Sequence, residues 1–231
     1  MKLIIFDCDG TLVDSQHLIV EAMNRAFEAS GVDPLGREEV LSIVGLSLPL
    51  AIERLLPEHP SDIIMRVNEG YRTAFGELRR DPANHEPLYE GMEAVIRGLG
   101  ARDDVLLGVA TGKSLRGVEA LFERLSLTDH FVTVQTADFH PSKPHPSMIE
   151  TAMREAGVEA AQTIMIGDTT YDMEMARTAG VGALGVAWGY HPVEALVAAG
   201  AHDISVAAET LVGQAERLLA AQAGAEKEVE R

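Results

Sequence analysis

Four short apolar runs constrain this chain more than any other feature: LIIF (residues 3–6), VLLGVA (105–110), TIMIG (163–167) and ALGVA (183–187). None alternates polar with apolar residues, so each reads as a strand buried on both faces. Between them lie helix-period stretches such as SLRGVEALFERL, PSMIETAMREAG and TYDMEMARTAG, with Gly157 and Gly180 placed to close two of them. Buried strands alternating with helices predict an α/β fold, a parallel sheet covered on both sides.

Residues 16–88 break the pattern, because they contain no strand-like run. LIVEAMNRAF puts Ile19, Met23, Ala26 and Phe27 on one helical face, and SDIIMRVNEGYRTAF does the same with Ile64, Val67, Tyr71, Ala74 and Phe75. Gly45 ends a short helix between them, and Ser47 with Pro49 can start the next. The expected organisation is an α/β core from residues 1–15 and 89–231, interrupted by a helical domain at 16–88. The tail AAQAGAEKEVER reads as a fraying helix end.

Lys and Arg total 19 against 36 Asp and Glu, a formal net charge of −17. Such a surface repels phosphate backbones, which argues against nucleic acid as a partner. The single cysteine, Cys8, has no internal disulfide partner, as expected in a reducing cytosol. The N-terminal apolar run is too short for a signal peptide, and no 18-residue apolar run exists, so a cytoplasmic protein without membrane contact is expected. No sequence signal bears on oligomeric state.

Three of the four runs end in a residue with chemical capacity: Asp7, Thr111 and Asp168. Ligands of open parallel sheets bind at the carboxyl ends of the strands, so the fold brings these residues together. Lys143 joins them from the loop SKPHPS, where Pro144 disfavours helix and Pro146 can open the next one. Two carboxylates about 4 Å apart repel by roughly 4 kcal/mol at an effective dielectric near 20. Asp7, Asp9, Asp168 and Asp172 crowding one crevice would have Lys143 as the only cation in these motifs. A hard divalent cation such as Mg²⁺ would balance them, since it takes one or two carboxylates plus substrate oxygens. The Thr111 hydroxyl, the Lys143 ammonium and backbone N–H groups beside Gly10 and Gly112 suit a phosphate.

DCDGT (residues 7–11) resembles the DxDGT signature of the haloacid-dehalogenase-like phosphatases, and Thr111, Lys143 and GDTTYD (167–172) match the family's other three motifs in order. The likeness spans the chain, including a helical cap after the first motif. It is strongest toward the phosphoglycolate-phosphatase-like branch, through DGTLVDS, KPHP and WGY. The resemblance implies a Rossmann-like core and Mg²⁺-dependent hydrolysis of a small phosphorylated metabolite. It implies Asp7 as nucleophile, forming an aspartyl-phosphate, and Asp9 as general acid and base. Thr111 and Lys143 would hold the transferring oxygens. Mg²⁺ would be held by Asp7, the Asp9 backbone carbonyl and Asp168, with Asp172 as a direct or outer ligand. Gly10 would let the backbone turn sharply toward the phosphate.

Each residue also has a plainer reading. Asp7 and Asp9 can cap a turn after a strand, and Asp172 can cap the helix of MEMARTAG. Cys8 sits between two carboxylates that raise its thiol pKa, and strand alternation turns it away from them, so it reads as packing. Trp188, Gly189, Tyr190 and His191 suit either the rim of a site or the core; His17 and His145 receive no catalytic role. Arg54, Arg66, Arg72 and residues 45–50 are candidates for contacting the leaving group.

Two alternatives frame the expectation. β-Phosphoglucomutase-like transfer fits less well, because that family's cap histidine and arginine fall at Ile19 and near Leu48. A phospho-Asp signalling domain shares the Asp, Thr, Lys and Mg²⁺ set but lacks both the cap and an acid two residues after its acceptor. Asp9 and residues 16–88 favour the enzyme.

Overall fold

A computed structural model of the chain describes residues 1–81 and 83–229, with side chains through residue 224. Strands β1 (Lys2–Phe6), β2 (Val105–Thr111), β3 (Thr133–Thr136), β4 (Thr163–Gly167), β5 (Gly182–Val186) and β6 (Asp203–Ser205) form one parallel sheet in the order β3-β2-β1-β4-β5-β6. The four expected strands are all present. The two at the sheet edges, TVQT and DIS, were not anticipated: each is short and partly polar, so it lacks the apolar run that marks a strand buried on both faces.

Four helices follow β1: α1 (Gln16–Ser30), α2 (Arg37–Ser42), α3 (Leu48–Leu55) and α4 (Ser61–Leu78). The remainder are α5 (Met92–Gly100), α6 (Leu115–Leu125), α7 (Ser147–Ala156), α8 (Thr170–Thr178), α9 (Val193–Ala198) and α10 (Ala208–Val229). The tail thus continues as helix to Val229, its last two residues lying outside those described. Among the described residues no helix is long and apolar enough to cross a membrane.

Strand alternation sorts the core into two layers. Ile4, Phe6, Leu107, Val109, Ile164 and Ile166 pack with residues of α5, α6 and α10 on one face. Leu3, Ile5, Ala110 and Met165 pack with residues of α7, α8 and α9 on the other. Burying each large aliphatic side chain contributes roughly 1.5–3 kcal/mol, which is what allows charged groups at the strand ends.

The α1–α4 segment has its own apolar cluster, in which Ile19, Met23, Ala26, Phe27 and Val67 are buried and Ile64, Tyr71 and Phe75 partly so. Ser47 and Pro49 stand at the start of α3, and Gly45 adopts a left-handed φ of 98° between α2 and α3. The chain leaves and re-enters the core side by side. Val13 bridges Leu88, Asp14 N–H donates to the Pro87 carbonyl at 2.9 Å, and Tyr89 N–H donates to that of Leu12 at 3.0 Å.

Candidate active site

The sheet register assembles the site. Phe6 pairs with Val109 on β2 and Ile166 on β4, so Asp7 comes level with Ala110 and Gly167, one residue short of Thr111 and Asp168. Alternation continues past β1: Asp7 follows Leu3 and Ile5 onto the α7–α8 face, whereas Cys8 joins the opposite core layer. Burial first, then Asp7 and Asp9, push the Cys8 thiol well above its ordinary value, as expected for a packing residue.

Asp7, Asp168 and Asp172 are buried, each offering a carboxylate oxygen within 4.8 Å of the others. Lys143, fully buried, sets its Nζ 2.6 Å from Asp172 Oδ1 and 3.0 Å from Asp7 Oδ1. Burial would discharge this lysine, but Asp172 and then Asp7 hold its pKa above the ordinary range. Asp168 Oδ1 accepts from the Thr11 hydroxyl at 2.8 Å and Oδ2 from Tyr190 N–H at 2.9 Å. Asp172 closes a capping box on α8: its Oδ2 accepts from Thr169 N–H at 3.0 Å and from the Thr169 hydroxyl at 2.6 Å. The capping reading of Asp172 therefore holds alongside its place in the cluster.

Asp7 is the exception. Neither carboxylate oxygen receives a directed hydrogen bond from the described residues, although Lys143 is within ion-pair distance. Burial, opposed by Lys143 and reinforced by Asp172 and Asp9, pushes its pKa up to about 7. Burial, Asp7 and Asp172 likewise raise Asp168 well above the carboxylate range. Three buried acids facing one lysine, with unsatisfied oxygens on the central one, fit a divalent cation; Asp7 and Asp168 could hold it with oxygen donors.

The turn after β1 requires glycine. Gly10 has φ +86°, and a Cβ there would meet Asp168 Oδ2 at 2.2 Å. Gly112, after Thr111, is equally constrained: a Cβ would meet the Leu46 and Gly45 carbonyls at 2.5 and 2.7 Å. The loop between α2 and α3 thus lies directly on the strand ends. Thr111 is buried there, its hydroxyl accepting from Lys113 N–H at 3.2 Å.

Two expectations need correction. Asp9 is not one of the three carboxylates within 4.8 Å of one another, although it lines the same cavity and still raises Asp7: its Oδ1 accepts from the Ser15 hydroxyl at 2.6 Å and pairs with Lys113 Nζ at 3.0 Å. Nor is Lys143 the one cation of the site, since Lys113 is nearly buried and also bonds Glu86 at 2.9 Å. Lys113 sits two residues past Thr111 in TGKS, a position that the strand-end argument could have flagged; Glu86 carries no motif.

A cavity of about 1460 Å³ lies between the strand ends and the α1–α4 segment. Asp7, Asp9, Thr111, Gly112 and Lys113 line it on one side, and Ile19, Gly45–Pro49, Arg72 and Phe75 on the other. Of the arginines considered, Arg72 reaches it. Arg54 instead bonds the Tyr171 hydroxyl at 3.0 Å, and Arg66 pairs with Asp62 on the surface. His145 caps α7, its Nδ1 accepting from Ser147 N–H at 3.2 Å. The segment 188–191 packs beside the acids and is not among the residues lining the cavity. Trp188, partly buried, packs against the core and donates to the Thr11 carbonyl at 3.2 Å; the Tyr190 hydroxyl meets that of Ser15 at 3.1 Å; His191 Nε2 reaches the Ser42 carbonyl at 3.0 Å.

Residues 4–186 match the family model described as haloacid dehalogenase-like hydrolase. The chain is 38% identical over 224 residues to the "probable phosphatase IndB" of Dickeya dadantii, covering 94% of each chain. It is 32% identical over 213 residues to a phosphoglycolate phosphatase of Rhodospirillum rubrum, covering 87% of each. Its fold superposes on the crystal structure of a hydrolase from Pseudomonas syringae with a TM-score of 0.82 at 23% identity, covering 94% of this chain and 99% of that one. The chain is an enzyme of the haloacid dehalogenase-like hydrolase family.

Proposed function

We propose that this hydrolase is a cytoplasmic, Mg²⁺-dependent phosphatase that cleaves a small phosphate monoester through an aspartyl-phosphate on Asp7. The observation that carries the reading is Asp7 itself, buried at a strand end beside two further acids, with no directed hydrogen bond to either oxygen among the described residues and Lys143 as its ion-pair partner. The phosphoglycolate phosphatase named above, nearly full-length in its match, supports a small anionic ester as substrate.

In this mechanism an Asp7 oxygen attacks phosphorus, and its bond to phosphorus forms as the bond to the leaving oxygen breaks. Asp9 gives that oxygen its proton, then accepts one from the water that attacks the phosphorus and frees Asp7. The Thr111 hydroxyl, Lys143 and the backbone beside Gly10 and Gly112 orient the non-bridging oxygens. Mg²⁺, held by Asp7, the Asp9 backbone carbonyl and Asp168, would neutralise charge on the phosphate and the nucleophile. Asp172, whose oxygens already serve Lys143 and Thr169, supports that arrangement by orienting Lys143. Residues 16–88 act as a cap over the cavity, pivoting where the chain crosses at the Val13–Leu88 bridge and excluding water when closed.

The test is phosphate release from a panel of small phosphate esters, with Mg²⁺ and with chelator, for the wild type and Asp7→Asn. Metal-dependent release that disappears in the variant is expected, and the ranking of esters identifies the substrate class. No release from any ester, with a stable phosphoryl group on Asp7 after acetyl phosphate treatment, would overturn hydrolysis in favour of a phospho-Asp switch.

A further inference from the structure

Glu86 has no part in the mechanism above, yet it is 1% exposed, an environment that demands partners for a carboxylate. It has three. Its Oε1 accepts from Lys113 Nζ at 2.9 Å, its Oε2 pairs with Arg79 Nε at 3.2 Å, and its backbone carbonyl accepts from Arg124 Nη2 at 2.8 Å. Lys113 Nζ in turn lies 3.0 Å from Asp9 Oδ1 and 5.2 Å from the centre of the Phe75 ring.

These groups come from separate places. Asp9 is in the turn after β1, Lys113 between β2 and α6, and Glu86 in the return from α4, two residues before the Val13–Leu88 bridge. A lysine on its flexible four-carbon stem cannot by itself fix a neighbouring carboxylate. Glu86 supplies the missing constraint: it holds the Lys113 ammonium and is itself held by two arginines. Burial opposes the charge on Lys113, but Asp9 and Glu86 more than offset this and keep it protonated. Lys113 and the Ser15 hydroxyl both converge on Asp9 Oδ1, so the carboxylate is gripped by one oxygen and can offer the other to a substrate.

We propose that Glu86 and Lys113 are positioning residues for Asp9: Glu86, acting through Lys113, fixes the carboxylate where it meets the leaving-group oxygen. The proposal rests on the reading of Asp9 as the proton donor. Its consequence is selective. Loss of positioning slows phosphorylation of Asp7 by an ester whose leaving oxygen needs a proton. It spares an ester whose leaving group departs as a stable anion.

The experiment measures the single-turnover release of the leaving group from a simple alkyl phosphate and from p-nitrophenyl phosphate, with Mg²⁺. The proteins are wild type, Asp9→Asn, Glu86→Gln and the double variant Glu86→Gln/Lys113→Met, which removes one charge of each sign. Because a misplacement of about 1 Å costs on the order of 10²-fold, both Glu86 variants should slow the alkyl ester by about 30- to 100-fold. They should leave p-nitrophenyl phosphate within about threefold, and Asp9→Asn should show the same split, larger. Equal losses on both esters, or none, would overturn the positioning role. Asp9→Asn slowed on the alkyl ester beside unaffected Glu86 variants would sink the positioning alone. An Asp9→Asn variant as fast as wild type on the alkyl ester would instead sink the acid assignment and the proposal with it.

Discussion

Two buried ionic clusters lie side by side at the strand ends, and they are balanced differently. In one, Asp7, Asp168 and Asp172 face Lys143 alone, and Asp7 and Asp168 are driven upward in pKa. In the other, Asp9 and Glu86 meet Lys113 and Arg79, two charges of each sign within 3.2 Å. Ordinary salt bridges complete the second cluster, which rigidifies what it touches. The first is an acid excess that the one lysine leaves uncompensated, an arrangement that fits the divalent cation proposed above. One cluster thus lacks the balancing charge that the other contains.

The comparison breaks most visibly at Asp7. Asp7→Asn should lower phosphatase turnover by at least about 10⁴-fold, the scale on which removal of a nucleophile acts. In chelator the same substitution should stabilise the protein near neutrality, and the sign follows from linkage. The folded state keeps a proton on Asp7 up to about pH 7, whereas the unfolded chain releases it near the ordinary value of 3.8. Stability is thus present at low pH and lost as pH rises from about 4 to 7. Melting curves in chelator across that window should slope downward for the wild type and less steeply for the variant. Identical slopes would remove Asp7 as the source of the strain.

In the balanced cluster a single deletion should hurt stability more than a paired one. Glu86→Gln leaves Lys113 and Arg79 sharing too few acids and should cost about 3 kcal/mol, the lower end of the range for breaking a buried pair. Adding Lys113→Met should recover part of that cost, a coupling that urea denaturation of the two single variants and the double variant would measure. Strict additivity would mean that the two side chains do not support one another.

Asp168→Asn tests the acid excess from its second member. It keeps a hydrogen-bonding amide beside Thr11 and Tyr190 but removes a charge, so the Mg²⁺ concentration for half-maximal activity should rise about 10- to 100-fold. An unchanged metal dependence would take Asp168 out of the metal site.

How much of this was legible beforehand follows from the kind of signal each residue leaves. The four central strands announce themselves because burial on both faces demands unbroken apolar runs, and their ends then mark Asp7, Thr111 and Asp168. The edge strands Thr133–Thr136 and Asp203–Ser205 are too short and polar to do so. Asp7 and Cys8 were separable from alternation alone. The pairing of Asp9 with Lys113 was not, because Lys113 is shared with Glu86, which is brought there by the return from α4 and specified by no local pattern. Side chains whose roles come from chain-distant pairing are the ones that sequence reading misses.

The three arginines considered for leaving-group contact, Arg54, Arg66 and Arg72, give the finest test, since they looked alike in the sequence. Arg66 forms an exposed pair with Asp62 at 3.6 Å, the kind worth about 0–1 kcal/mol, so Arg66→Ala should leave both stability and KM almost unchanged. Arg54 stacks 5.3 Å over the Tyr171 ring and bonds its hydroxyl, tying α3 to the core rather than facing the cavity. Its removal should cost roughly 0.5–1 kcal/mol and alter KM little. Arg72 alone of the three lines the cavity, with its Nε held by Asn68 Oδ1 at 3.1 Å. A guanidinium placed opposite the strand ends attracts an anionic leaving group, so Arg72→Ala should raise KM several-fold, about 1 kcal/mol of binding, with kcat nearly constant. A KM effect from Arg66→Ala exceeding that from Arg72→Ala would show that the substrate approaches from the outer face of α4, and would move the leaving-group site out of the cavity altogether.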